Sequence, residues 1–172
     1  LVIPEGITKI GTYAFEYAIL SNVILPSTLT TIENSAFSEA FITGDLIIPE
    51  GVTTISYAAF NWCSKLTNIV IPASVTKIED YAFEYCSNLK VVFFSGTKEQ
   101  WNAINVSTKG ADEFKSATVY YECENNQLLS GTCGENAIWS LNVVTGLLTI
   151  SGTGAIERAS IVAQLPWYYY RT

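Results

Sequence analysis

Residues 66–86 read LTNIVIPASVTKIEDYAFEYC, and the same order of residue types occurs three more times upstream. Each copy has a short apolar stretch that ends at proline, an apolar pair three residues apart, and then Ala-Phe. The prolines are spaced by 22, 23 and 23 residues, at Pro4, Pro26, Pro49 and Pro72. Self-similarity at a fixed period of this length predicts a solenoid of stacked units.

Within each unit, alternating apolar residues and a high β-branched content favour two short strands and a compact turn around Ala-Phe. One unit cannot bury its own apolar side, so the units must stack with strands about 4.8 Å apart. Stacking would place the turn phenylalanines in one internal column, while the small alanine beside each lets the backbone turn closely. These residues are Phe15, Phe37, Phe60 and Phe83.

The pattern L-x-x-I-x-I-P-x-x-V-x-x-I-x-x-x-A-F-x-x-C closely resembles the BspA-like class of leucine-rich repeats over residues 1 to about 94. The resemblance implies a leucine-rich repeat solenoid, mainly β with short helical turns, that carries a sheet on its concave side. It also implies a surface or secreted protein, most often bacterial, with adhesive or host-interaction roles. Ala18 and Ala40 depart from the pattern because they replace cysteine.

Three domains are predicted: the solenoid at 1–94, its C-terminal cap at 95–122, and a small β module at 123–172. In the cap, Thr97 and Gln100 fit a capping box that begins a short helix. The segment ATVYYE, which ends the cap, is predicted to form one more strand.

The module carries a hairpin signal, because apolar residues alternate on both sides of Thr145-Gly146. Its pattern of Cys-Gly, Trp and Ser-Gly-x-Gly is similar to a small module found with such repeats. The matching residues are Gly131, Cys133, Gly134, Trp139, Leu141, Gly152, Gly154, Pro166 and Trp167. Because the chain starts without Met, in the middle of a predicted strand, we expect a piece of a longer protein.

Composition argues against several functions. The net charge of −7 and nine scattered Lys and Arg residues disfavour nucleic acid, whose phosphates need clustered cations. No apolar run approaches the roughly 20 residues that a membrane helix needs, so no membrane insertion is expected. There is no histidine, and the recurring glutamates fall at positions expected to face water. We therefore expect no enzyme, cofactor or metal.

Cysteines and clustered aromatic residues leave alternatives open. Cys63 and Cys86 occupy the same position in neighbouring units. They are either buried apolar groups or a disulfide between coils, because equivalent Cα atoms of neighbouring coils lie about 5 Å apart. Cys123 and Cys133 are disulfide candidates if the protein is extracellular. The aromatic residues 167–170 are either core of the module or a platform for a sugar.

The concave sheet supplies the candidate binding residues. The column predicted to face outward is Val2, Ile24, Ile47, Val70 and Phe93, with Asn22, Asp45, Asn68 and Val91 beside it. Such a column reflects either strand propensity alone or a binding surface. As a binding surface it would suit a protein or peptide, such as a host surface protein. It is aliphatic until Phe93, and its polar rim with one negative charge suits an apolar segment with a basic residue.

The sequence thus predicts a fragment of a non-enzymatic cell-surface or secreted protein that binds or adheres through its concave sheet. One alternative is a structural spacer in a large surface protein. Another is an accessory domain of a secreted carbohydrate-active enzyme that contacts glycan through residues 167–170. Edge-to-edge self-association is also expected, because the first strand has no cap above it.

Overall fold

In the computed structural model, each repeat unit forms one coil of a parallel-stranded solenoid. The structure describes residues 1–21 and 23–121, together with the backbone of residues 128–132, 137–142 and 147–152. The fold class predicted from the sequence, a mainly β leucine-rich repeat solenoid, is confirmed. The repeating turns are single hydrogen-bonded turns, and the two α-helices of the described residues lie in the last coil.

A ladder of two-residue strands, hydrogen-bonded in two separate parts, lies at the second residue of the apolar pair in each unit. In the repeat units, the second residue of each strand is a buried isoleucine and the first points outward. β1 pairs with β3, and β8 pairs with both β6 and β10, always in parallel. The strands are β1 (Lys9–Ile10), β3 (Thr31–Ile32), β6 (Thr54–Ile55), β8 (Lys77–Ile78) and β10 (Asn105–Val106). A separate pair is formed by β2 (Ile19–Leu20) and β4 (Phe41–Ile42).

The longest parallel strands form a second ladder, here called the long sheet. Its strands are β5 (Gly44–Ile47), β7 (Leu66–Ile71), β9 (Val91–Phe94) and β11 (Thr118–Tyr120). The bridge between Val2 and Ile24 lies at the equivalent place in the first two coils, and these two residues are included in the outward face of the long sheet. Leu46, Ile69 and Val92 alternate inward along these strands and are fully buried.

The Ala-Phe turns bind coil to coil through both backbone and side chains. The N–H groups of Phe15, Phe37 and Phe60 each donate to the carbonyl oxygen of the alanine in the next turn, at 2.8, 2.9 and 2.9 Å. The rings stack in the same direction, with successive centroids 5.1, 5.4, 5.6 and 4.8 Å apart along Phe15, Phe37, Phe60, Phe83 and Phe114. The predicted column is therefore confirmed, and Phe114 extends it.

Two residues of each repeating turn have a left-handed backbone although none is glycine. The first set precedes Ala-Phe and consists of Tyr13, Ser35, Ala58 and Tyr81. The second set follows the phenylalanine by two residues and consists of Tyr17, Glu39, Trp62 and Tyr85. Their φ angles lie between 52° and 60°. This conformation costs roughly 1–2 kcal/mol for each such residue, so the bonds to the neighbouring coil must hold it.

The segment predicted as a cap continues the solenoid at least as far as Tyr120, since β10 and β11 extend both ladders. Its helix α1 (Lys98–Ala103) begins with the predicted capping box between Thr97 and Gln100. The sequence prediction missed the helix α2 (Asp112–Ser116), which places Phe114 on Phe83.

Gly110 makes the last turn fit against the coil before it. Its φ is +62°, and a Cβ there would lie 2.7 Å from Tyr81 Cδ1 and 2.9 Å from Glu84 Cβ. A side chain would therefore collide with the preceding turn, so only glycine allows this close approach.

Beyond residue 125 the chain forms a second compact unit, residues 126–172. β12 (Leu128–Thr132), β13 (Ala137–Asn142) and β14 (Leu147–Gly152) pair antiparallel in that order. The strands on either side of the predicted turn thus form the expected hairpin. Cys123, Cys133 and residues 167–170 lie outside the described residues.

The phenylalanine column makes a testable prediction about stability. Phe60 is fully buried with a ring on each side, so Phe60→Ala should lower the free energy of unfolding by about 3–5 kcal/mol. Phe15 is only partly buried and has a ring on one side, so Phe15→Ala should cost clearly less. Urea unfolding followed by circular dichroism measures both. Equal losses at the two positions would contradict the column as the main source of stability.

Candidate functional site

The long sheet brings several of the predicted binding residues together in register. Ile47 pairs with Val70, Val70 with Phe93, and Phe93 with Tyr120. Sequence reasoning missed Tyr120, although its place in the strand TVY matches that of Phe93 in VVF. The parallel register therefore produces one column from several distant segments.

Exposure along this column is uneven. Val2 and Ile24 are 68% and 56% exposed, and Ile47 is half-buried. Val70 is only 4% exposed and Phe93 only 9%, which corrects the expectation that the whole column is open to solvent. Strands on both sides flank these two residues at about 4.8 Å, and their large side chains cover them.

The column ends in an aromatic pair. The rings of Phe93 and Tyr120 stack with centroids 5.7 Å apart and planes 23° apart. Tyr120 is 37% exposed, so it covers Phe93 and supplies the accessible surface there. The outward face thus has an open aliphatic part at Val2 and Ile24 and an aromatic part at Tyr120.

The polar rim beside the column also differs from the expectation. Asn68 is 4% exposed, and its amide donates to Asp45 Oδ1 at 2.6 Å, so it is a buried partner of the carboxylate. Asp45 itself is exposed, Val91 is half-buried, and Asn22 lies outside the described residues. The side chain that gives this rim its charge is therefore Asp45.

Cys63 and Cys86 are free thiols in the core, so the alternative of a disulfide between them is wrong. Cys63 Sγ donates to the carbonyl oxygen of Phe37 at 3.2 Å, and Cys86 Sγ to that of Phe60 at 3.1 Å. Burial raises the pKa of the Cys63 thiol well above its ordinary value and that of Cys86 to about 12. Both thiols thus stay neutral and tie each turn to the coil before it.

A polar depression of about 410 Å³ lies along β8 and β10. Asp80 accepts a hydrogen bond from the Ser107 hydroxyl and pairs with Lys109 at 3.1 Å, which together lower the pKa of its carboxyl group. Lys77 pairs with Glu79 at 2.7 Å. The charged side chains of this depression are therefore paired with one another.

The described residues contain no group of three metal-ligating side chains close enough to hold an ion. Among the helices of that same part, none is long and apolar enough to cross a membrane. The described coils present a regular surface with apolar, aromatic and acidic positions.

Comparison with known proteins identifies the repeats. A family model described as BspA type leucine-rich repeat region, in six copies, matches residues 1–105. A leucine-rich cell surface protein from Faecalibacterium prausnitzii A2-165 is 32% identical, with a TM-score of 0.48, over 63% of this chain and 35% of its own length. The pneumococcal vaccine antigen PcpA is 23% identical, with a TM-score of 0.48, over 72% of this chain and 35% of its own.

This chain therefore spans about a third of either solved structure. A leucine-rich repeat protein from Bacteroides ovatus ATCC 8483 is 19% identical, with a TM-score of 0.34, over 69% of this chain and 48% of its own. No curated protein sequence matches significantly.

The buried thiols give a test of the core. Because the pKa of Cys86 is raised to about 12 and that of Cys63 is also raised, neither forms the reactive thiolate near neutral pH. Iodoacetamide at pH 8 should leave both unmodified in the folded protein and modify both in urea, as read by peptide mass spectrometry. Rapid labelling of either residue in the folded protein would show that the coils open there.

Proposed function

Because the chain belongs to the family of BspA-type leucine-rich repeat proteins, we propose that it binds a partner protein through the outward face of its long sheet. Its role is non-enzymatic, and it acts at the cell surface or as a secreted protein, as the family resemblance implies. Adhesion to a surface protein of a host is the biological form that this binding takes.

The observation that carries the proposal is the open aliphatic part of the outward face. Val2 and Ile24 form a bridge between neighbouring coils, and both side chains are more than half exposed. Ile47 continues the column while still partly accessible. Adjacent exposed apolar side chains on a rigid sheet favour association with apolar groups of another protein. Tyr120 adds an aromatic contact of the type enriched at interfaces.

The exposed charge of Asp45 indicates which residue type the partner should carry beside its apolar residues. One carboxylate oxygen accepts from Asn68, which fixes the side chain against the sheet. The carboxylate is exposed beside Ile47, so a basic residue that flanks an apolar segment can pair with it. An extended peptide with alternating apolar residues and one Lys or Arg therefore fits this face.

The double variant Ile24→Thr with Ile47→Thr tests the proposal, since it retains β propensity while removing apolar contact. Peptides would be selected from a random display library on the unmodified protein, and their affinities measured by calorimetry. We expect affinity to fall about 10-fold, as two partly lost apolar contacts require.

Ile19→Thr is the matched control, because Ile19 is 86% exposed on a strand outside the long sheet. This substitution should leave affinity unchanged. Equal binding by the double variant would mean that the selected peptides do not use the outward face, and it would favour a spacer role for these coils. Circular dichroism would confirm that all variants are folded.

We also propose that the 172-residue chain self-associates through its first coil. Among the described strands, β1 pairs only with β3 and β2 only with β4, so each has one unpaired edge. Such edges recruit strands of other molecules unless charge blocks them. Sedimentation velocity should show dimers that increase with protein concentration, and Ile19→Lys should reduce them. A monomer at every concentration would contradict this proposal.

A further inference from the structure

The Ala-Phe turns carry a second surface, separate from the outward face of the long sheet. We call it the turn ridge; it consists of the residue two places after each phenylalanine, namely Tyr17, Glu39, Trp62 and Tyr85. Backbone bonds hold successive members in register: Tyr17 N–H donates to Ser38, Glu39 N–H to Asn61, and Trp62 N–H to Glu84, at 3.0, 2.7 and 2.8 Å. All four share a left-handed backbone, with φ between 56° and 59°.

The aromatic members of the turn ridge are open to solvent. Tyr17 is 61% exposed, Trp62 50% and Tyr85 45%. These rings do not contribute to the buried core, since the stacked phenylalanines two residues earlier fill it. Large aromatic side chains clustered at the surface are a common feature of binding sites.

Glu39 lies between aromatic residues in the order of the coils. Tyr17 precedes it by one coil, and Trp62 follows it by one coil. Trp62 packs against Tyr85 of the coil after it, with ring centroids 4.3 Å apart and planes 37° apart. Neighbouring coils are about 4.8 Å apart, so a cation bound at Glu39 would be roughly one coil spacing from Trp62. That distance is within the roughly 6 Å at which a cation interacts with an aromatic ring.

The charge around Glu39 is negative. Glu39 is half-buried, and Glu16 and Glu84 occupy the neighbouring position of nearby turns. The hydrogen bond to Glu39, and then the charges of Glu39 and Glu16, raise the pKa of Tyr17. In the four described turns, no Lys or Arg occupies either of these two positions. An acidic residue with aromatic residues in the coils on both sides is complementary to an organic cation.

We propose that Tyr17, Glu39 and Trp62 form a binding site for an arginine side chain of a partner protein. A guanidinium group can lie against the exposed Trp62 side chain and donate two parallel hydrogen bonds to the Glu39 carboxylate. A lysine ammonium lacks the planar surface, and a quaternary ammonium lacks the donors that Glu39 needs. The site goes beyond the proposed function, since it uses none of the residues of the outward face.

The test measures the binding of short peptides of defined sequence to the 172-residue chain. The probe is acetyl-Gly-Ser-Arg-Ser-Gly-amide; in two further peptides, lysine or the neutral isostere citrulline replaces arginine. Nuclear magnetic resonance titration should show saturable shifts of the Trp62 indole and the Tyr17 ring with the arginine peptide. Binding should weaken as salt is added, should be several-fold weaker with lysine, and should be absent with citrulline.

Variants localise the effect. Trp62→Asn removes the ring while suiting the left-handed backbone, and Glu39→Gln removes only the charge. We expect the first to abolish binding and the second to weaken it at least about fivefold. Tyr13→Asn is the matched control, because Tyr13 has φ of 58° and is 58% exposed but lies outside the turn ridge. That variant should bind normally.

Three outcomes would overturn the proposal. They are equal affinity for the arginine and citrulline peptides, normal binding by Trp62→Asn and Glu39→Gln, and no saturable shift up to about 10 mM peptide. The double variant of Ile24 and Ile47 should bind the arginine peptide as the unmodified protein does. Its behaviour separates failure of this site from failure of the outward face.

Discussion

The surfaces of the repeat coils depend on the contact between one Ala-Phe turn and the next. The phenylalanine N–H donates to an alanine carbonyl of the following coil, and the two rings stack about 5 Å apart in the same direction. This contact fixes the axial spacing of the coils and holds the left-handed residues that close each turn. Any position of the repeat therefore becomes a column of side chains, and the chemistry of each column can be read independently.

Those columns give one protein two different faces. The outward face of the long sheet is aliphatic at Val2 and Ile24 and aromatic at Tyr120. The turn ridge is aromatic and acidic instead, with Glu39 between Tyr17 and Trp62. Because the core requires only the inward residues, the outward positions can differ from coil to coil at little cost in stability. A repeat protein can thus combine apolar and cation-binding contacts on a single rigid stack.

Much of the fold could be predicted from the sequence, because the period and the inward positions are encoded locally. The phenylalanine column, the ladders and the burial of Cys63 and Cys86 all follow from the repeat. The last coil was harder to predict, because a helix replaces its Ala-Phe turn and Phe114 is the residue that adds to the phenylalanine column. Exposure of Val70 and Asn68 could not be predicted either, because it depends on the size of side chains one coil away.

Cross-coil hydrogen bonds have one further consequence, for the rate of folding. Cross-coil bonds that involve a side chain join residues separated by 21 to 29 positions in the sequence, although the chain has 172 residues. Each coil therefore closes a loop of similar length, and the entropy cost of closure is similar for each. Sheets that pair distant segments fold slowly, whereas these cross-coil bonds span only about one coil. Adding coils lengthens the chain without lengthening these loops.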